Sequence, residues 1–155
     1  MTVKRMLTSL TAMSAALLTA ASVAAAAPGS ASILIRHQTR GCHAWAVNGG
    51  AFKASQTLSL ARNGSVTITN NDMMPHTLVQ LSGPSARFKA LPTPMGMGMK
   101  GHFGPATMAH MGAATKVTFP AAGTYVFTTK AGEDYMPGIK TVGEDNVLKL
   151  VVHVG

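Results

Sequence analysis

The chain runs to 155 residues with a formal net charge of +8, 46% hydrophobic residues, 11 methionines and one cysteine. That length allows one modest hydrophobic core and no second domain of ordinary size. The basic residues are scattered and aromatics make up only 5% of the chain, which argues against nucleic acid and leaves an anionic surface or acidic protein as the kind of partner the charge suits.

Lys4 and Arg5 precede Met6 to Ala27, an uncharged run rich in Leu, Ala, Ser, Thr and Met that closes on Ser22-Val23-Ala24-Ala25-Ala26-Ala27-Pro28. A basic start, an apolar middle and small residues before a cut are the order of a secretory signal peptide. A permanent transmembrane helix is the competing reading, but Ala dominates the run where Leu, Ile or Phe would be expected. The expected division is a signal peptide over 1–27, cut near Ala26 or Ala27, and one domain over 28–155. Losing Lys4 and Arg5, with no acid in the removed segment, lowers the net charge from +8 to +6. The expected location is periplasmic or secreted, with no permanent membrane span after cleavage. An oxidising compartment favours paired cysteines, so the single Cys42 is a metal ligand, half of an intermolecular disulfide, a reactive thiol or a buried bystander.

In the expected domain, Ser32 to Arg36 is a short β-prone run. Thr57 to Ala61 alternates, Arg62-Asn63-Gly64 makes a turn, and Ser65 to Asn70 alternates again. Asn-Gly between two alternating runs predicts a β-hairpin. His76 to Leu81 reads as the next strand. Ser82 to Ala114 is a long Gly-, Pro- and Met-rich insertion with no strand pattern, and such stretches tend to be functional or disordered. Lys116 to Phe119 and Thr124 to Thr129 flank a Pro120-Ala121-Ala122-Gly123 turn, and Val147 to Val154 closes the chain in alternation. Many short strands without sustained helical periodicity predict an all-β sandwich or barrel. Nothing supports hydrolysis: the sequence has no serine elbow, no phosphate-cradling glycine loop and no His-Glu-x-x-His helix.

Gly64-Ser65-Val66-Thr67-Ile68-Thr69-Asn70-Asn71-Asp72-Met73-Met74-Pro75-His76-Thr77-Leu78-Val79 resembles a stretch of the cupredoxin family: a strand, an Asn-rich loop, Pro-His and a second strand. Phe119 to Phe127 resembles that family's penultimate hairpin. The similarity runs from about Ser32 to Val154 with the insertion set aside. It implies a plastocyanin-like Greek-key β-sandwich of the cupredoxin type, exported, with copper as cofactor and His76 as its first ligand. Blue-copper members of the family carry Cys near the position of Thr129, then His and Met in the following loop. Here Thr129 to Gly138 contains Met136 but neither Cys nor His, so that loop cannot assemble a standard blue-copper site.

A Cys-His pair lies elsewhere, in Gly41-Cys42-His43-Ala44-Trp45, between the first two expected strands. In the family's topology this connection crosses the same pole as the Pro-His loop. The resemblance therefore implies a rearranged set of Cys42, His43 and His76, completed either by Met136 as a long axial thioether or by Glu133 as a harder carboxylate ligand. Thiolate with imidazoles suits copper or zinc. Neighbouring residues point to opposite sides of an extended strand, so Cys42 and His43 share an ion only from a turn or irregular loop.

The five acids are Asp72, Glu133, Asp134, Glu144 and Asp145, and the same topology gathers them at one pole, either as a solvated rim or as ligands. In the insertion, Met95, Met97, Met99, His102, Met108, His110 and Met111 are candidate secondary Cu(I) sites. Thioethers select Cu(I), and interleaved glycines let a loop wrap one ion; the alternative is an oxidation-prone loop.

The expected function is electron transfer or copper carriage, with a redox or copper-delivery protein as partner. One alternative is a periplasmic copper chaperone or resistance protein that takes Cu(I) on the Met-rich loop and Cu(II) on His76 with His43. Another is a metal-free sandwich acting as an interaction module through a Cys42 disulfide. An enzymatic role requires an open coordination position, which the sequence leaves undecided.

Overall fold

The structure is a computed structural model that describes residues 26–37, 43–92, 103–131 and 148–155. Its strands are β1 (Ser30–His37), β2 (His43–Val47), β3 (Ser55–Leu60), β4 (Ser65–Asn71), β5 (His76–Ser82), β6 (Arg87–Leu91), β7 (Thr107–Met108), β8 (Ala114–Thr118), β9 (Gly123–Ala131) and β10 (Lys149–Val154). They form two five-stranded sheets, ordered β2-β1-β4-β8-β6 and β3-β10-β9-β5-β7. Each sheet is mixed: β1 runs parallel to β4 and β3 parallel to β10, while the other pairs are antiparallel. The molecule is the expected all-β sandwich. The expected signal peptide, apart from Ala26 and Ala27, lies outside the described residues. No helix among those residues is long and apolar enough to cross a membrane.

Period-two patterning builds the core. In β4 the buried Val66, Ile68 and Asn70 alternate with half-buried Ser65, Thr67 and Thr69, because successive side chains leave opposite faces of a strand. Ile33, Ile35, Trp45, Val66, Ile68 and Val117 from one sheet pack against Leu60, Leu78, Tyr125, Phe127, Leu150 and Val152 from the other. Each such burial contributes about 1.5–3 kcal/mol. Phe119 meets Tyr125 edge-on at 4.9 Å between ring centroids, and the Tyr125 hydroxyl donates to the Ala121 carbonyl at 2.7 Å. That bond pins the corner between β8 and β9.

Three expectations are corrected. The Asn63-Gly64 turn does not close a hairpin, because β3 and β4 lie in different sheets. Its backbone groups are taken by other segments: Ala61 N donates to Pro28 O, Arg62 N to Gly155 O, Asn63 N to Phe119 O and Ser65 N to Gly29 O, all at 2.8–3.0 Å. The turn is thus an arch over one end of the sandwich. Gly64 is required there, since a Cβ would stand 2.6 Å from the Ala61 carbonyl oxygen. The Pro120–Gly123 turn likewise carries the chain between sheets and closes no hairpin.

Second, the insertion over Ser82 to Ala114 is not free of strand: β6 and β7 lie within it. The basic, half-exposed Arg87-Phe88-Lys89-Ala90-Leu91 pairs with β8 as an edge strand, and two-residue β7 pairs with β5.

Third, the stretch between the first two expected strands is not all connection: β2 lies within it and begins at His43. The strand is buried because the segment leading to β3 covers it. Trp45 exchanges backbone hydrogen bonds with Lys53 at 3.1 Å, and its indole Nε1 donates to the Ala54 carbonyl at 3.1 Å.

Candidate metal centre

Three strand ends meet at one pole of the sandwich. The antiparallel register of β1 and β2 sets His37 opposite His43. In the other sheet, β5 begins at His76, whose Cα partners are Ala131 of β9 and Met108 of β7. The Asp72-Met73-Met74-Pro75 turn joins β4 to β5 between them.

Asn70 shapes that turn. Its buried amide nitrogen donates to the Met74 carbonyl at 2.8 Å and the Met108 carbonyl at 3.1 Å, while its side-chain oxygen accepts from Asp72 N at 2.8 Å. Met74 N donates to Asp72 Oδ1 at 3.2 Å. Asx side chains fold short turns back on themselves in this way. The result turns the Asp72 carboxylate inward.

The other carboxylate oxygen, Asp72 Oδ2, lies 3.1 Å from His43 Nε2 and 3.3 Å from His76 Nε2. His43 and His76 meet edge to face at 4.7 Å between ring centroids, and His37 approaches His43 edge-on at 5.7 Å. Only 4% of Asp72, 2% of His43 and 0% of His76 is exposed. Asp72 is the only acid among the described residues, and it is buried, which excludes a solvated rim for this carboxylate. A buried carboxylate needs N–H donors or a cation close by.

The donor set fits a metal ion. Ligand atoms of His37, His43 and Asp72 all lie within 4.8 Å of one another. N and O ligands about 2.0–2.1 Å from one ion stand about 2.9 Å apart at a right angle and about 3.3 Å apart at a tetrahedral one. The 3.1 and 3.3 Å separations on Asp72 Oδ2 fall in that window, so each imidazole–carboxylate pair has the spacing of two ligands on one divalent first-row cation. Imidazole suits copper, zinc, iron and nickel, and the carboxylate makes the set harder than thiolate would.

Of the residues read from sequence, His76 and His43 are brought together here. Asp72 joins them as a central group, and His37 enters without having been expected. The sequence signal for His37 is its position at the end of β1, where an antiparallel return sets it across from His43. Cys42, Glu133 and Met136 lie outside the described residues, as do Met95, Met97, Met99 and His102. Met108 is wholly buried in the core, a correction to its placement on an open loop: its pairing with β5 draws it inside. His110 is half-buried, and its Nδ1 donates to the Met111 carbonyl at 2.9 Å. Met111 is 52% exposed and lines an open cleft of about 360 Å³ together with His37 and Asp72.

No family model and no curated protein matches the chain. Among solved structures it is similar to the solution structure of Amebosin, at 17% identity and a TM-score of 0.37 over 64% of this chain and 89% of that one. It is also similar to a multi-copper oxidase from Pediococcus acidilactici, at 12% identity and a TM-score of 0.41 over 90% of this chain. A third similar structure is a multi-copper oxidase from Pseudomonas Thermotolerans, at 12% identity and a TM-score of 0.42 over 83% of this chain. The chain spans 29% and 30% of the lengths of these two oxidases. Similarity of this degree assigns the chain to no family.

Proposed function

We propose that this is an exported, cupredoxin-like copper-binding protein that carries copper or passes single electrons. His43, His76 and Asp72 hold the ion, His37 stands at the solvent side, and Cys42 adjoins His43 in the chain. One observation carries the reading: two buried imidazoles from different sheets direct Nε2 at the same buried carboxylate oxygen. Copper is favoured over zinc because the Asn70 to His76 stretch resembles the cupredoxin first-ligand loop. Export rests on the basic and apolar run before Pro28, and N-terminal sequencing of the secreted protein tests it.

If Cys42 thiolate also reaches the ion, the centre supports one-electron traffic and gives a charge-transfer colour that Cys42→Ser removes. Without it, imidazoles and carboxylate favour Cu(II) storage or delivery. Calorimetric titration of the metal-free protein tests the central reading. One equivalent of Cu(II) is expected, with affinity lowered at least tenfold in His43→Ala and in His76→Ala. Affinity unchanged from the parent chain in both variants refutes it, and a parent chain that takes up no Cu(II) favours the metal-free interaction module.

A further inference from the structure

We propose that Met73, Met74 and Met111 form an outer thioether site for a soft monovalent ion, Cu(I), at the mouth of the imidazole–carboxylate centre. The proposal deepens the copper reading above and rests on it for the identity of the cargo. These three side chains line one solvent-open cleft of about 360 Å³, with His37 and Asp72 of the inner group in the same wall. The methionines come from two separate turns, one following β4 and one preceding β8.

The two turns are tied together by backbone. Gly112 N donates to Asn70 O at 2.7 Å, and Asn70 N donates to Ala113 O at 2.9 Å. The Asn70 side chain bonds Met74 O on one side and Met108 O on the other. The Cα positions of the three thioethers are therefore held relative to one another before any ion arrives, which lowers the ordering cost of binding.

The exposure pattern fits a ligand role. Met73 is 85% exposed and Met111 52% exposed, so neither fills the core. Single exposed apolar side chains are ordinary, but these line one cleft together with His37 and Asp72. Thioether sulfur is neutral, polarisable and selective for Cu(I). Arg36 also lines the cleft, with its guanidinium 5.7 Å from the Phe52 ring centroid. Its positive charge disfavours a hard dication at the mouth more than a monovalent ion held by sulfur. His37 and Asp72, common to the cleft and the inner group, place the two sites side by side.

The test uses the full chain labelled with 13C at the methionine methyls, titrated with Ag(I) as a redox-inert stand-in for Cu(I). The resonances of Met73, Met74 and Met111, assigned by single Leu substitutions, are expected to shift together and saturate near one equivalent. In a bicinchoninate competition for Cu(I), Met73→Leu/Met74→Leu/Met111→Leu is expected to lose at least tenfold in affinity, in Cys42→Ser as in the parent chain. Its Cu(II) stoichiometry is expected to stay unchanged. Shifts confined to Met95, Met97 and Met99, or an unchanged competition, overturn the proposal. Asp72→Asn separates the two readings: loss of Cu(II) binding with Ag(I) shifts retained supports both sites, whereas parent protein that takes up no Cu(II) but shows the shifts discards the inner site alone.

Discussion

The imidazoles of His43 and His76 stand edge to face, 4.7 Å between centroids and 85° between planes, and each sets Nε2 within 3.3 Å of the same Asp72 oxygen. One residue opens β2 and the other opens β5, in opposite sheets. Their meeting therefore depends on the whole sandwich being folded, and so does any metal centre built on them.

Asp72→Asn keeps the shape of the turn and an acceptor for Met74 N, but removes the negative charge that faces both rings. Cu(II) affinity is expected to fall at least tenfold with the far-UV circular dichroism unchanged. Calorimetry and dichroism on the same sample check both halves.

Asn70→Ala leaves the Met74 and Met108 carbonyls and Asp72 N without the partner they have now. Buried groups orphaned in this way cost about 1–3 kcal/mol each, and partial relaxation brings the expected total to about 2–4 kcal/mol in urea unfolding. Copper affinity is expected to drop as well, because the turn no longer presets the Asp72 carboxylate.

Trp45 is the one tryptophan in the chain and is fully buried, two residues along β2 from His43. Residues two apart on a strand share a face. Its emission is expected to be blue-shifted and to be quenched by one equivalent of Cu(II). In His43→Ala/His76→Ala that quenching is expected to disappear, which a fluorescence titration reads directly.

Gly83→Ala probes the crossing from β5 to β6. Gly83 has φ of +98°, and an added Cβ would collide with the Thr124 carbonyl oxygen and stand 2.9 Å from Tyr125 Cα. A destabilisation of about 1–3 kcal/mol is expected, measured as a lowered urea midpoint with copper stoichiometry retained.

Strand content was largely legible in the sequence because alternation at Ser65 to Asn70, Thr124 to Thr129 and Leu148 to Val154 directly encodes one buried face. Sheet membership was not. The same alternation around Asn63-Gly64 serves a hairpin or an arch, and only the long-range partners Pro28, Phe119 and Gly155 decide for the arch. β7 has two residues and carries no periodic signal at all.

At the site, His76 was readable from its Pro75-His76 setting and His43 from its neighbour Cys42. Asp72 was readable only as one charge among five, since its burial comes from hydrogen bonds that Asn70 makes across two turns. His37 became visible only through its register with His43.

The most direct test of the central claim is pulsed electron paramagnetic resonance of the protein loaded with one equivalent of Cu(II), which counts coordinated imidazoles through their remote nitrogens. At least two are expected in the parent chain, with one fewer in His43→Ala and one fewer in His76→Ala. Spectra identical in all three proteins, or showing no coordinated imidazole, contradict a copper centre built on His43 and His76 around Asp72.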